Sequence, residues 1–111
     1  MTDFVLKVMK IITVAGESKS TSFEALRLAR QGDIAAAKAK IEEARKIAQD
    51  AHKIQTELIV KETRGEKVEM SMLMVHAQDH LMGCMCSREL IEEMIFTYEA
   101  IKNLKDSDSR R

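Results

Sequence analysis

The sequence predicts an all-helical protein, and three observations favour that class. The 111 residues include no proline and only four glycines, the two residue types that most disfavour helix interiors. Aromatic residues make up only 4% of the chain, whereas small and straight-chain residues, which lose little freedom in a helix, dominate. Apolar residues also recur at intervals of three and four along most of the sequence. The length fits one domain with a modest core.

Two glycines divide the chain into three predicted helices. Gly32 followed by Asp33 is typical of one helix ending and the next beginning, and Gly65 marks a second break. We therefore predict helices over about 3–31, 34–64 and 68–104. Short connections favour antiparallel neighbours, so residues 1–105 should form one up-down-up three-helix bundle. The polar segment 106–111 is expected to be a disordered tail.

The predicted second helix has the most regular apolar seam. Its members recur at three- and four-residue spacings and are Ile34, Ala37, Ile41, Ala44, Ala48, Ala51 and Leu58. A less regular seam on the first helix contains Val5, Val8, Ile12, Ala15, Leu26 and Ala29. Each seam predicts the side of its helix that faces the core.

The predicted third helix has two apolar flanks instead of one. One flank contains Met70, Met74, Ala77, Leu81 and Met85, and the other contains Met72, Val75, Met82 and Cys86. A helix in a monomeric three-helix bundle needs a single apolar face, so the second flank favours a homo-oligomer with this helix near its symmetry axis. An irregular, methionine-rich core is the alternative explanation.

Charge and hydropathy exclude several classes of function. The 18 basic and 18 acidic residues cancel, whereas nucleic-acid and anionic-membrane binders need a basic surplus or patch. Neither a secretory signal nor a bilayer-spanning apolar run of about 20 residues is legible, so a cytoplasmic protein without membrane insertion is expected. Cys84 and Cys86 point about 200° apart on a helix and cannot bridge each other. We expect two ordinary buried or half-buried thiols.

A polar strip on the third helix is the candidate site of chemistry. His76, Asp79 and His80 are three and four residues apart and therefore share one surface, which Gly83 and Ser87 extend. A carboxylate one turn from an imidazole could hold one ring nitrogen as a donor and leave the other as a nucleophile. Simple surface or core histidines remain the alternative.

A zinc site is a competing interpretation of the same strip. The spacing of His76 and His80 suits zinc. However, Ala77 stands where the H-E-x-x-H pattern requires its general base, and Asp79 replaces the glutamate of the reversed pattern. The chain also has no second domain to form a substrate cleft, which disfavours a zinc hydrolase.

Around this strip the sequence resembles a known family. The stretch from Ala51 to Met82, with its core VHAQDHLM, closely resembles the lactose/cellobiose class of enzyme IIA of the bacterial sugar phosphotransferase system. Similar stretches run from Ala15 to Ser20, from Glu24 to Asp33 and from Ser87 to Ile95, so the resemblance covers nearly the whole chain. It implies a homotrimer of three-helix subunits.

The resemblance also implies roles for the strip. His76 would be phosphorylated by the histidine phosphocarrier HPr and would pass the phosphoryl group to a cysteine of the cognate enzyme IIB. Asp79 would lie near the trimer axis and share a divalent cation, expected to be Mg²⁺, among three subunits. Gln78 and His80 would line or support the site.

Small departures from the family bear on specificity. Lys19 replaces a common arginine, and Ala77 resembles the cellobiose/chitobiose branch more than the lactose branch. A β-linked disaccharide of the former type is therefore the expected cargo of the system. A regulatory relative, or a metal-holding trimeric bundle without phosphoryl transfer, remains the alternative function.

Overall fold

The computed structural model describes residues 2–109, which form three α-helices joined by two short connections. Helix α1 spans Asp3–Arg30, α2 spans Ile34–Thr63 and α3 spans Met72–Ser109. Together they make a rod of 66 × 25 × 19 Å. The predicted all-α, three-helix class is confirmed for these residues, among which no strand occurs.

The core residues show that the helices run up, down and up. One apolar cluster joins the end of α1 to the start of α2 and the second half of α3, and contains Ala25, Ala29, Ile34, Ala37, Ile41, Ala44, Ile91 and Ile95. The other joins the start of α1 to the end of α2 and the start of α3, and contains Val8, Ile11, Ala51, Leu58, Met74, Ala77 and Leu81. Helices α1 and α3 are therefore parallel, with α2 antiparallel to both.

The predicted seams agree with burial to different degrees. All seven seam residues predicted on α2 are buried. On α1, Val8, Ala15 and Ala29 are buried, whereas the other three predicted members are only half-buried. The prediction missed Ser18, whose hydroxyl is fully buried and donates to the Ala44 carbonyl at 2.7 Å. A polar side chain satisfied by a backbone carbonyl can occupy a core position that an apolar pattern does not reveal.

The first connection follows the predicted glycine signal. Gly32 has a φ of 90°, which L-residues with a side chain rarely adopt, and so it ends α1. The Asp33 carboxylate then accepts a hydrogen bond from the Ala36 N–H at 3.2 Å and caps α2. The start of α2 is where the sequence predicts it.

The second connection is longer than predicted, because α3 begins at Met72 and not near Val68. Gly65, with a φ of 85°, follows the end of α2 as expected. Ser71 then accepts a hydrogen bond from the Met74 N–H at 3.1 Å, so its hydroxyl satisfies a donor that the first helical turn leaves unpaired. Val68 packs on the core from the connection itself, which explains its apolar character.

The far end of α3 also differs from the prediction. Residues 106–109 were expected in a disordered tail, but they continue α3 to Ser109. Neither glycine nor proline follows Leu104 to stop the helix, and the Ser109 hydroxyl donates to the Lys105 carbonyl at 3.0 Å. Residues 110 and 111 of the predicted tail lie outside the described residues.

Candidate functional site

Helix α3 presents a buried stripe to the other two helices. Met74, Ala77, Leu81 and Cys84 are each at most 3% exposed. Met70, predicted on the same flank, is 70% exposed, because it precedes the first residue of α3 and does not follow the helical period. This stripe fixes the rotation of α3 about its own axis and so decides where every other side chain of the helix lies.

The second predicted apolar flank is not covered by this chain. Met72, Val75 and Met82 are 88%, 55% and 62% exposed, respectively, and Cys86 is also exposed. Asp79 lies on the same flank, between Val75 and Met82, and is exposed. The exposed residues at 72, 75, 79, 82 and 86 alternate spacings of three and four, which is the heptad pattern of a helix that packs against other helices. We call this surface the heptad flank.

His76 and His80 meet on the border between the buried stripe and the heptad flank. Their Nε2 atoms are 3.0 Å apart, and their rings are nearly perpendicular, with centroids 4.4 Å apart and an interplanar angle of 81°. A hydrogen bond between two imidazole nitrogens requires one ring to donate and the other to accept. His76 is exposed and His80 is half-buried, so His76 is the more accessible ring of the pair.

Asp79 does not orient His76 within one chain. Among residues 2–109 no hydrogen bond joins the two side chains, and the partner of His76 is His80. The orienting carboxylate considered from the spacing is therefore absent from a single subunit. Asp79 lies about 60° around the helix from His76, on the heptad flank.

Gln78 faces away from the histidines. Its side chain forms two reciprocal amide hydrogen bonds with Gln55 of α2, and the Gln78 Nε2–Gln55 Oε1 distance is 2.7 Å. Gln78 Nε2 also lies 3.3 Å from Met74 Sδ. In one chain Gln78 therefore joins α3 to α2, and the structure brings it to Gln55 but not to His76. No local sequence pattern points to Gln55, because a single polar residue on a helix has many possible partners.

The potential metal ligands are dispersed in a single chain. Within residues 2–109 no three His, Cys, Asp or Glu side chains come together in a way that could hold a metal ion. His76 and His80 form a pair without a third ligand from the same chain. A site that uses Asp79 would therefore need ligands from additional copies.

Two further features are the hydropathy of the helices and the exposure of the thiols. No helix in the described range is both long and apolar enough to span a bilayer. The two thiols point to different surroundings, as predicted, and Cys84 is buried. Cys86 is exposed and not half-buried as expected, because it lies on the heptad flank that this chain does not cover.

Fold and site together define a class: a three-helix bundle that presents a hydrogen-bonded histidine pair on the outer surface of its third helix. A family model described as the lactose/cellobiose-specific IIA subunit of the PTS system matches residues 6–108. The chain belongs to this family, whose members are phosphotransferase components. The resemblance identified from the VHAQDHLM stretch is thereby confirmed.

Individual relatives agree with this assignment. The N,N'-diacetylchitobiose-specific EIIA component of Escherichia coli K12 is 44% identical over 95 residues, which are 86% of this chain and 82% of the relative. The crystal structure of the PTS cellobiose-specific enzyme IIA from Bacillus anthracis matches with a TM-score of 0.89 at 40% identity, over 93% of this chain and 94% of the other. The solution structure of the Escherichia coli IIA(chitobiose)–HPr complex matches with a TM-score of 0.78 at 40% identity, over 92% and 99%.

The amide pair gives a test of how α2 is held to α3. We expect Gln55→Ala and Gln78→Ala each to lower the free energy of unfolding by about 1 kcal/mol, because each loses the same reciprocal bonds. The double variant should cost about as much as either single variant. Urea unfolding followed by circular dichroism measures all four proteins. Additive losses would show that the two amides do not stabilise the protein as a pair.

Proposed function

We propose that this chain is a phosphocarrier that takes a phosphoryl group from phospho-HPr on His76 and passes it to a cysteine of its cognate enzyme IIB. The observation that carries the proposal is the exposed His76 ring, whose Nε2 lies 3.0 Å from Nε2 of His80. Membership of the IIA family and the likeness to an HPr-bound relative support the same partner. Enzyme IIB and a cytoplasmic location come with the family resemblance.

The histidine pair suggests which nitrogen reacts. If His76 attacks through Nε2, that atom must carry a lone pair, so its ring proton resides on Nδ1 and His80 donates from its own Nε2–H. This assignment fixes the tautomer of His76 with its lone pair on Nε2, and the hydrogen bond from His80 breaks as that lone pair attacks phosphorus. His80 is then a positioning residue, because it fixes the tautomer and orientation of His76 without forming a bond to phosphorus.

The transfer steps balance without an added acid or base. The Nε2–P bond forms on His76 as the N–P bond of the donor phosphohistidine breaks, and the donor imidazole recovers its lone pair. In the second step an S–P bond forms on the acceptor thiolate while the Nε2–P bond breaks. Positioning and charge stabilisation are the protein's contribution. The His80 N–H that held the lone pair is free to donate to a phosphoryl oxygen after the first step.

We also propose that the heptad flank forms the core of a homotrimer. Three copies of α3 packed along residues 72, 75, 79, 82 and 86 would bury the methionines and valine that one chain leaves exposed. The trimer would bring three Asp79 carboxylates to one axis. Like charges in an apolar interface are destabilising unless a cation neutralises them, and carboxylate oxygens suit Mg²⁺. Asp79 would then hold a divalent cation, with Mg²⁺ as our assignment.

The sugar is proposed from the relatives and not from the site. The relatives described above are named for chitobiose and cellobiose, which favours a β-linked disaccharide of that kind. Ala77, the residue that suggested this branch from the sequence, is fully buried against the other helices. Packing against the other helices explains the small size of Ala77, so this residue carries no independent information about the sugar.

The phosphorylation site can be tested by labelling. In a mixture of phosphoenolpyruvate, enzyme I and HPr, we expect acid-labile phosphate on the wild-type chain and none on His76→Ala, because that ring is the acceptor. His52→Ala is the matched control, since His52 is an exposed histidine on α2 and should leave labelling unchanged. Labelling of His76→Ala at the wild-type level would refute the assignment.

The role of His80 can be separated from that of His76. We expect His80→Ala to slow single-turnover transfer from phospho-HPr by roughly tenfold to a hundredfold. That factor corresponds to one hydrogen bond to a charged group, here the bond from the His80 N–H to a phosphoryl oxygen. His80→Gln keeps an N–H donor and should recover part of the rate. The ¹⁵N shifts of the His76 ring report its tautomer, which should become mixed in His80→Ala. A normal rate together with an unchanged tautomer would exclude the positioning role.

The trimer and its cation can be tested by measurements that do not depend on phosphoryl transfer. We expect sedimentation velocity to give three chains per particle and Mg²⁺ to raise the Tm of the wild type. Asp79→Asn removes the charge, so its Tm should not depend on Mg²⁺. Asp50→Asn is the control, because Asp50 is an exposed aspartate on α2 and lies outside the heptad flank. Equal Mg²⁺ responses of Asp79→Asn and wild type would contradict the site.

A further inference from the structure

The buried stripe of α3 is interrupted by one charged residue. Beyond Cys84 the stripe continues to Ile91 and Ile95, which are both buried. The spacing of three and four that joins these residues also includes position 88, where the chain has an arginine. The Arg88 side chain is only 15% exposed, and its Nε is buried without a hydrogen-bond partner among residues 2–109. Charged side chains rarely occupy such positions, so Arg88 calls for an explanation.

Arg88 lies at the level where the two apolar clusters of the bundle meet. It follows Cys84 by about one turn, and Cys84 packs there with Ala15 and Ala48. All three of these residues are small, so this level of the bundle has no large apolar side chain to exclude the arginine. The Arg88 Nη1 donates to Glu92 Oε1 at 3.0 Å, one turn further along α3.

A second ion pair faces Arg88 from α2. The Arg45 Nε donates to Glu42 Oε2 at 2.9 Å. The pKa of the Glu42 carboxyl is lowered, chiefly by the hydrogen bond from Arg45 and also by the positive charge of Arg88. Two arginines and two glutamates therefore share one edge between α2 and α3. The guanidinium of Arg88 has counter-charges at this level of the bundle.

The apolar stripe alone does not fix the height of α3 in the bundle. A slip of seven residues moves a helix by about 10 Å along its axis and turns it by only about 20°, so the stripe would still face the core. In one direction Arg88 would take the place of Leu81, and in the other direction that of Ile95. Each of these places lies inside an apolar cluster. A guanidinium buried there without a counter-charge is strongly unfavourable.

The other polar links between α2 and α3 oppose such a slip less strongly. Lys38 Nζ lies 2.8 Å from Glu99 Oε2, but this ion pair is exposed, and such pairs contribute little. Gln55 and Gln78 are neutral amides, whose separation costs less than the burial of an unpaired charge. Arg88 is thus the residue that most strongly distinguishes the observed register from a slipped one.

We infer that Arg88 is a positioning residue, which fixes the height of α3 against α1 and α2 and thereby the height of His76. In a slipped chain His76 would lie at the level that Glu69 or Gly83 occupies now, about 10 Å from its observed place. The register itself follows from packing and charge. Its consequence for phosphoryl transfer rests on the proposed function.

The register can be measured by disulfide trapping. Gln55→Cys with Met85→Cys brings two thiols together only after a slip, because Met85 then takes the place of Gln78. In the observed register these positions are offset by about 10 Å along the helices, too far for a disulfide. We expect diamide to cross-link this pair at least about a hundredfold faster when Arg88→Met is added, because a buried charge no longer opposes the slip.

Controls separate the register from general destabilisation. All variants carry Cys84→Ala and Cys86→Ser, so that only the introduced thiols react. Arg88→Lys keeps the charge and should prevent cross-linking, and Arg45→Met should not promote it, because Arg45 lies outside the stripe. If the methionine variant does not fold, Arg88→Gln removes the same charge. Equal cross-linking with and without Arg88, or a lower Tm without cross-linking, would overturn the inference.

The trapped chain tests the consequence for transfer. We expect phospho-HPr to label the cross-linked, slipped chain about a hundredfold more slowly than the same chain after reduction, because His76 is displaced from its surroundings. Equal rates before and after reduction would overturn the positioning role. Absence of any label on the wild-type chain would instead refute the proposed function, whereas the cross-linking rates would still decide the register.

Discussion

Burial of the stripe on α3 is the constraint on which the rest of the molecule depends. Met74, Ala77 and Leu81 must face α1 and α2, because these residues close the apolar cluster at that end of the bundle. With about 100° between successive residues, this requirement fixes the direction of every other side chain on α3. A one-residue slip would turn His76 and His80 together by that angle, away from the border between the buried stripe and the heptad flank. The position of the histidine pair is thus a consequence of core packing.

The same constraint explains why a single helix can have three functions. Gln78 points to α2 and holds the two helices together, the histidine pair lies on the other edge, and the heptad flank faces away from the bundle. Since these surfaces are separated around the helix, a change on one need not disturb the others. An ordinary amphipathic helix would have only two such surfaces, one buried and one solvated.

Much of this arrangement could be predicted from the sequence, and the predictions that were wrong failed for identifiable reasons. The α2 seam and the Gly32–Asp33 junction were predicted because periodicity and turn chemistry are local properties. The predicted start of α3 was wrong because the apolar Val68 was assigned to the helix. Val68 instead packs on the core from the connection, and the helix begins after the Ser71 cap. The hydrogen bond between His76 and His80 was not predicted, because the spacing suits Asp79 equally well as the partner of His76.

Gln78 and the exposed heptad flank show two different limits of prediction from the sequence. Gln55 is 23 residues away on another helix, so no local pattern could reveal the amide pair. The second apolar flank, by contrast, is fully visible in the sequence, yet one chain leaves it exposed. A local pattern without an intramolecular partner is informative for that reason. The heptad flank of α3 is such a surface, and the proposed trimer would cover it.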